Sequence, residues 1–434
     1  MKYVRLLLVA STLVLYTDFA WAAMGILEAY HMAQENDAAF DSARYEYQAA
    51  QTMPAQGLSY LLPSVEAHYM TGKYDTDSPT SGDYSSSMRG VTLRQPLLSL
   101  PRIFEYTQHR VRADLGKAKF NAAESDLIIR TATVYFDLLA AWDQLEIVLA
   151  EKKAVAEQLE QAKRLFHAGA GTITDVHDAL ARYNGLLSDE IEARNNINVN
   201  VKAFKRVTGA EPKDLCRLKE TIPLFVPSPD DLEGWIQIAK ENNPTIRYYN
   251  YNVNYYKQER RKMISEHLPE VSFVADHHTS DTIEYYKTEE VTYTSVMAQI
   301  TVPLFQGGYT RAKTKEATAK LEQAKADLND VLTENAQKIS EAFLGIKSNM
   351  AMIQALELAV ESAELSLQSN EMGLKAGIRT IVDVLDAQKQ LYDERMSLLK
   401  AKYEYIMNLL TLKSEGGVLT EEDLLTISDW LQTT

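Results

Sequence analysis

Two stretches of this sequence are near copies of each other: AGAGTITDVHDA at residues 168–179 and AGIRTIVDVLDA at residues 376–387. Eight of their twelve positions are identical, at an offset of 208 residues. Each copy follows a long segment without proline and precedes a shorter one. Because glycine ends helices and proline interrupts them, we expect each copy to form the turn of a helical hairpin.

The repetition extends well beyond these two turns. Shorter matches at offsets of 206 to 208 residues pair Glu35-Asn36 with Glu241-Asn242, Leu62-Pro63 with Leu268-Pro269, Pro96-Leu97 with Pro303-Leu304, and Gly209 with Gly417. Repetition on this scale indicates duplicated structural units. The predicted units are a first repeat at 23–211, a proline-rich linker at 212–229, a second repeat at 230–417 and a C-terminal segment at 418–434. We expect the two repeats to pack together as one architecture.

Glycine and proline also delimit very long helices. Only Gly116 interrupts residues 102–168, and only Gly345 interrupts residues 309–372. At 1.5 Å per residue such segments form helices of about 100 Å, too long for a compact globular domain. The predicted elements are long helices at about 102–167 and 308–374, and return helices at about 172–207 and 380–413.

Apolar residues in the long segments recur in alternating steps of four and three, which is a coiled-coil period. The second long helix carries the series Leu332, Ala336, Ile339, Phe343, Ile346, Met350, Ile353, Val360, Leu367 and Leu374. The first carries Ile128, Tyr135, Leu138, Trp142, Leu145, Leu149, Leu159 and Phe166. Each repeat is therefore predicted to contain a coiled-coil hairpin.

Proline-bounded segments with alternating apolar and polar residues predict four β-strands, at about 64–74, 85–96, 270–281 and 292–303. Strands that continue into helices of about 100 Å have no core layer to pack against, so a membrane barrel is favoured over a soluble sheet. The smallest membrane barrels have about eight strands. Several chains must then contribute four strands each, and these considerations leave two, three or four chains open.

The N-terminus has the three parts of a secretory signal peptide. Lys2 and Arg5 give the positive region, residues 6–16 the apolar run, and Ala20-Trp21-Ala22 the cleavage site. The apolar run is shorter than the ~20 residues that span a bilayer. We predict export with removal of residues 1–22 and no helical membrane anchor.

Composition and motifs argue against several functions. Sixty acidic against 45 basic residues give a net charge of −15, which disfavours nucleic acid as a partner. The single cysteine, Cys216, excludes an internal disulfide and a cysteine zinc site. The sequence contains no glycine-rich phosphate loop, catalytic-triad spacing or HExxH motif. We predict neither an enzyme nor a bound cofactor.

Four features together resemble the TolC-type outer-membrane channels, the outer membrane efflux protein family. They are the duplicated strand–strand–helical-hairpin plan, the Asp-Val-x-Asp-Ala ending of both turns, Pro-Leu-Phe-Gln-Gly-Gly at 303–308, and Gly-Val-Leu-Thr-Glu-Glu-Asp-Leu-Leu at 417–425. The resemblance implies an α+β membrane protein, with three chains forming a 12-stranded β-barrel in outer-membrane lipid. That barrel continues into a periplasmic α-helical barrel.

The resemblance also implies a function and partners. Substrates of tripartite efflux pumps or of type I secretion would leave the cell passively through the tunnel of a homotrimer. An inner-membrane transporter and a periplasmic adaptor would dock at the helical tips. The corresponding tip residues are Ala168, Gly169, Ala170 and Gly171 in the first hairpin and Ala376, Gly377 and Ile378 in the second.

Several residues match the narrow entrance of that family. Asp383 and Asp386 lie three apart, hence on one helical face, and match an aspartate pair that lines the tunnel; a plain helix start is the alternative interpretation. Arg379, which replaces Gly171 of the first turn, matches an arginine that bridges to groups on the neighbouring chain corresponding to Asp175 and Gln158. The gate tyrosine of the family is Leu374 here, so one hydrogen bond of the closed state is absent.

Two other functions remain open from the sequence. A soluble periplasmic coiled-coil scaffold or adaptor would use the hairpins for docking but leave its strands in water. An exported hydrolase with helical arms would require a convergent polar site, which the sequence lacks.

Overall fold

A computed structural model of the chain describes residues 23–75, 84–212, 214–284 and 287–432. The predicted signal peptide at 1–22 lies outside the described residues. The helices are α1 Ile26–Asn36, α2 Ala38–Gln51, α3 Met53–Ser59, α4 Leu100–His167, α5 Ile173–Thr208, α6 Leu232–Asn242, α7 Pro244–Ser265, α8 Tyr309–Lys375, α9 Ile381–Glu415 and α10 Glu421–Ser428. The strands are β1 Ser64–Tyr74, β2 Tyr84–Leu98, β3 Arg217–Leu218, β4 Glu270–Glu284, β5 Lys287–Thr301 and β6 Leu431–Gln432.

The four long strands form one antiparallel sheet in the order β1-β2-β4-β5. Each repeat supplies one hairpin, and the pairing of β2 with β4 joins the repeats within a single sheet. Among the described strands, β1 and β5 are therefore the two edges of this sheet, each with a neighbouring strand on one side.

Directly paired residues share a face, and the register makes one face of the sheet mainly apolar in the half next to the helices, whereas farther out that face also carries Arg89, His277 and Asp281. The apolar face includes Val65, Tyr69, Val91, Val296 and Ile300. The polar face includes Glu66, His68, Thr92, Asp276 and Gln299. Val65 and Ile300 are 64% and 67% exposed, so no second layer formed by the described residues covers these two side chains.

The longest helices form two hairpins, α4–α5 and α8–α9, that pack through α4 against α9, while α7 packs against both α4 and α8. Within the hairpins the lateral order is α5-α4-α9-α8, with α5 and α8 at the two edges. The coiled-coil series predicted from the sequence faces the interior at Ile339, Phe343, Ile346 and Ile353, all of which are buried. The predicted α+β architecture of two tandem repeats is confirmed.

The linker and the C-terminal segment meet in a short two-stranded sheet. The short strands β3 and β6 pair antiparallel, so residues 217–218 of the linker lie beside residues 431–432. The buried Tyr135 of α4 places its hydroxyl 3.0 Å from the carbonyl oxygens of both Met24 and Cys216. The start of the described chain and the linker are thereby attached to the long helix.

Some element boundaries differ from the predicted ones. The helix α4 begins at Leu100 with Pro101 in its first turn, a position where the missing N–H of proline costs no hydrogen bond. The strand β5 begins at Lys287 and ends at Thr301. Its first part is charged and lacks apolar alternation, but its backbone continues the ladder with β4. Among the described residues, no helix has a stretch long and apolar enough to cross a bilayer.

Candidate functional site at the helical tips

The turns that connect α4 to α5 and α8 to α9 have the same backbone geometry. Gly169 and Gly377 occupy the left-handed region with φ of 72° and 73°, where residues with a side chain are strained. The residues before them, Ala168 and Ala376, both have helical φ and ψ. This equivalence explains the Ala-Gly pair that both turns share.

A capping box starts each return helix. The backbone N–H of Thr380 donates to Asp383 Oδ2 at 2.7 Å, and the N–H of Asp383 donates back to Thr380 Oγ1 at 3.2 Å. Thr172 and Asp175 repeat this exchange at 2.9 and 3.1 Å. Each pair satisfies N–H groups that the helix start leaves without partners.

The capping box also affects the acidity of Asp383. The hydrogen bond from the Thr380 backbone N–H, reinforced by the Thr380 hydroxyl and the charge of Arg379, lowers the pKa of the Asp383 carboxyl. Asp383 therefore has a local structural role at the helix start in each chain, which is the alternative to the predicted tunnel-lining role.

Arg379 projects from the second turn and is largely exposed. Its Nη1 lies 3.9 Å from Asp383 Oδ1, one helical turn away. No hydrogen bond or ion pair among the described residues joins Arg379 to Asp175 or Gln158 of its own chain. The bridges predicted for Arg379 were to a neighbouring chain, and they remain predictions.

A cavity of about 520 Å³ lies between α5 and α9 near the tips. Asp178 and Asp386, which are equivalent positions of the two repeats, both line it. The lining also includes Glu151, Arg182, Asp189, Lys389 and Asp393. The structure thus brings together one aspartate of each repeated Asp-Val-x-Asp motif, within one chain.

Glu151 of α4 also lines this cavity, although no sequence motif singles it out. Burial, with a smaller contribution from the nearby carboxylates of Asp393 and Asp189, raises the pKa of Glu151 to about 7. Arg182, whose Nε lies 3.9 Å from Glu151 Oε1, opposes the rise. Glu151 stands among other charged residues of α4 in the sequence, so only the positions of α5 and α9 reveal its surroundings.

Leu374, at the position of the missing tyrosine, is half-buried against a small apolar cluster at the tip. The cluster consists of Val155, Leu159, Ala162, Ala179, Leu186, Ile381 and Leu385. Gln158 is buried beside this cluster on α4, and its Oε1 has no hydrogen-bond partner among the described residues. Leu374 therefore contributes apolar packing where a tyrosine would contribute a hydroxyl.

The remaining predicted tip residues are exposed or nearly so. Ala168, Gly169, Ala170, Ala376 and Gly377 are exposed, and Gly171 is half-buried. Ile378 is 79% exposed. The residues predicted for docking are therefore small, except for the aliphatic Ile378.

Comparison with known proteins is consistent with this architecture. The sequence profile of the family described as outer membrane efflux protein matches residues 29–210 and 235–417, one match in each repeat. The chain is similar to alkaline protease secretion protein AprF of Pseudomonas aeruginosa, with 31% identity over 93% of this chain and 86% of the relative. It is also similar to outer membrane protein TolC of Vibrio cholerae, with 30% identity over 100% and 99% of the two chains.

The fold is similar to that of a solved structure, the outer membrane protein VceC of Vibrio cholerae. The TM-score is 0.79 at 16% identity, over 90% of this chain and 96% of VceC. At this identity the similarity concerns the fold alone.

Proposed function

The chain belongs to the outer membrane efflux protein family, and from that premise we propose that three copies of it enclose one channel, closed at its periplasmic end by the helical tips. The protein is an outer-membrane channel for efflux and secretion. Its strands lie in the membrane and most of the chain lies in the periplasm. Its apolar sheet face is suited to lipid and its polar face to a water-filled lumen.

The edges of the helical layer support a closed ring of chains. The edge helix α5 exposes Ile173, Leu180 and Leu187 at intervals of seven. The opposite edge helix, α8, exposes Leu344, Leu358, Leu365 and Met372 on the same repeat. Different surfaces that fit one another produce head-to-tail association, which closes into a ring when the rotation permits. We infer that α5 of one chain packs against α8 of the next.

The edges of the sheet support the same arrangement. Four strands alternate in direction, so β5 of one chain can pair antiparallel with β1 of the next, and the ring then has no unpaired edge. Three chains would contribute twelve strands in this way, within the size range of membrane barrels. The helical edges, α5 and α8, and the strand edges, β1 and β5, thus both favour contact between one side of a chain and the opposite side of the next chain.

At the tips, we propose that Arg379 holds the entrance closed by binding Asp175 and Gln158 of the neighbouring chain. The unpartnered Oε1 of Gln158 is an acceptor that suits a guanidinium, whose planar donors can bind two groups at once. Asp383 and Asp386 of three chains would place six carboxylates around one axis. Such a ring attracts cations into the entrance.

The proposed partners follow from the exposed tips. We propose that a periplasmic adaptor docks on the small residues of both turns and that an inner-membrane transporter supplies substrate and energy. The channel itself would then perform no chemistry and need no cofactor. The alternative of a soluble scaffold is not favoured, because the family is one of outer-membrane channels.

Planar-bilayer recording tests the gate. We expect Arg379→Ala to raise single-channel conductance, because the closed entrance loses its bridging cation. Arg44→Ala is the matched control, since it removes an arginine of α2 that also pairs with a carboxylate one helical turn away. Unchanged conductance in Arg379→Ala would remove Arg379 from the gate.

A further inference from the structure

The two hairpin turns share a backbone, and one pair of facing positions carries its large and its small residue in opposite order. In the second turn, the carbonyl oxygen of Gly373 accepts the N–H groups of Ile378 at 2.9 Å and Arg379 at 3.2 Å. In the first turn, the carbonyl of Leu165 accepts the N–H groups of Ala170 at 2.9 Å and Gly171 at 3.1 Å. The pair Leu165 and Gly171 therefore corresponds to the pair Gly373 and Arg379.

The space between the two positions of each pair accommodates only one side chain. A Cβ atom on Gly373 would lie 2.6 Å from Arg379 Cγ and 3.2 Å from Arg379 Cβ. A Cβ atom on Gly171 would lie 3.1 Å from Leu165 Cβ. In the first hairpin the large residue, Leu165, is on the helix and the glycine, Gly171, follows the turn. In the second hairpin the glycine, Gly373, is on the helix and the large residue, Arg379, follows the turn.

The backbone does not require glycine at position 373. The position is helical and buried within the last turn of α8, and the left-handed glycine of that turn is Gly377. Leu165 occupies the equivalent position of the first hairpin with the same backbone hydrogen bonds. Glycine is also a poorer helix former than alanine or leucine. The contact with Arg379 is therefore the feature that explains Gly373.

We propose that Gly373 is a positioning residue of the gate, whose missing side chain leaves the space that sets the direction of Arg379. The inference rests on the proposed role of Arg379 in closing the entrance. The shortest contact of a Cβ at 373 is with Arg379 Cγ, and rotating Arg379 about its first torsion moves Cγ out of that contact. That rotation carries the guanidinium away from its place beside Asp383.

Single-channel recording of Gly373→Ala tests this positioning role. We expect the variant to show most of the conductance increase of Arg379→Ala, with an unchanged melting temperature of the oligomer. The double variant should conduct no more than Arg379→Ala alone, because both changes act through one side chain. Gly185→Ala is the control, since that helical glycine has nothing within 4 Å of an added Cβ. Conductance of Gly373→Ala equal to that of the unmodified channel, or full additivity in the double variant, would overturn the proposal.

A crystal structure of Gly373→Ala tests whether residue 373 sets the orientation of Arg379, independently of whether Arg379 closes the entrance. Unchanged conductance in Arg379→Ala would refute the gate, whereas a rotated Arg379 in Gly373→Ala would still support the steric relation. An Arg379 that keeps its orientation beside the introduced methyl group would refute that relation.

The first hairpin provides a second test if Gly373→Ala does not assemble. Gly171→Arg and Leu165→Gly should each lower the melting temperature of the oligomer, the second because Leu165 packs on the tip cluster and glycine is a poor helix former. The double variant should lose clearly less than the sum of the two single losses, because the pair again contains one large residue. A loss equal to that sum would overturn the proposal.

Discussion

At the scale of single residues, Glu151 is the buried carboxyl near the tips with the largest consequence for pH dependence. Its pKa is raised to about 7, first by burial and then by the carboxylates of Asp393 and Asp189. In the unfolded chain the same carboxyl titrates at its ordinary value of 4.5. The folded protein therefore binds the proton more tightly, so this contribution to stability is complete below pH 4.5 and is lost as pH rises through 7.

Glu151→Gln should consequently stabilise the protein at pH 8 and change little at pH 4.5, because glutamine resembles the protonated carboxyl. Thermal melting in detergent, followed by circular dichroism at both pH values, measures the difference. Glu192→Gln, on an exposed position of α5, controls for the loss of one charge. A stabilisation of the same size at both pH values would contradict the assignment.

Glycines 209 and 417 show the duplication at the residue scale. Both have positive φ, at 76° and 70°. A Cβ on Gly209 would lie 2.8 Å from Asn36, and a Cβ on Gly417 would lie 2.4 Å from the backbone N of Asn243. Each repeated glycine thus lies against the repeated Glu-Asn pair, Gly209 at Asn36 and Gly417 at Asn242 and Asn243. The glycine match and the Glu-Asn match have nearly the same offset because they belong to one repeated contact.

At the scale of elements, the exposed stripe of α8 is the surface most dependent on a neighbouring chain. Leu358 and Leu365 are 66% and 59% exposed in the single chain. Each would become buried against α5 of the next chain in the proposed ring. Leucine at seven-residue intervals is the pattern that packs two helices side by side.

Leu365→Glu should therefore weaken or abolish the oligomer, because an unpaired carboxylate would be buried at the contact. Size-exclusion chromatography with light scattering in detergent measures the loss. Gln237→Glu adds the same charge to an exposed position of α6 and should leave the oligomer intact. Normal assembly of Leu365→Glu would exclude this stripe from the interface.

At the scale of the whole molecule, the number of chains in the complex is a property of the assembly and not of one chain. Native mass spectrometry of the detergent-extracted protein should give three chains, and heating should convert the complex to monomers. Extraction should require detergent, because the apolar face of the sheet lies in lipid. A complex of two or four chains would refute the proposed trimer, whereas a water-soluble monomer would refute the ring itself.

Much of this architecture could be predicted from the sequence because its signals are local. Helix length follows from where glycine and proline stand, strands follow from alternation, and the duplication is visible as two similar turns. The early start of β5 was missed because a charged segment can pair through its backbone without apolar alternation. The helices α1, α6 and α10 are short and have no repeat signature of comparable strength.

The amino-acid sequence by itself determined the two repeats, the long hairpins, the strands and the family resemblance, since each depends on neighbours along the chain or on motif identity. Only the tertiary structure decided that Asp178 and Asp386 line one cavity, that Glu151 is buried beside other carboxylates, and that Gly373 lies against Arg379. These relations depend on distances in space between residues far apart in sequence or across a tight turn. Burial and Coulomb interactions act through those distances.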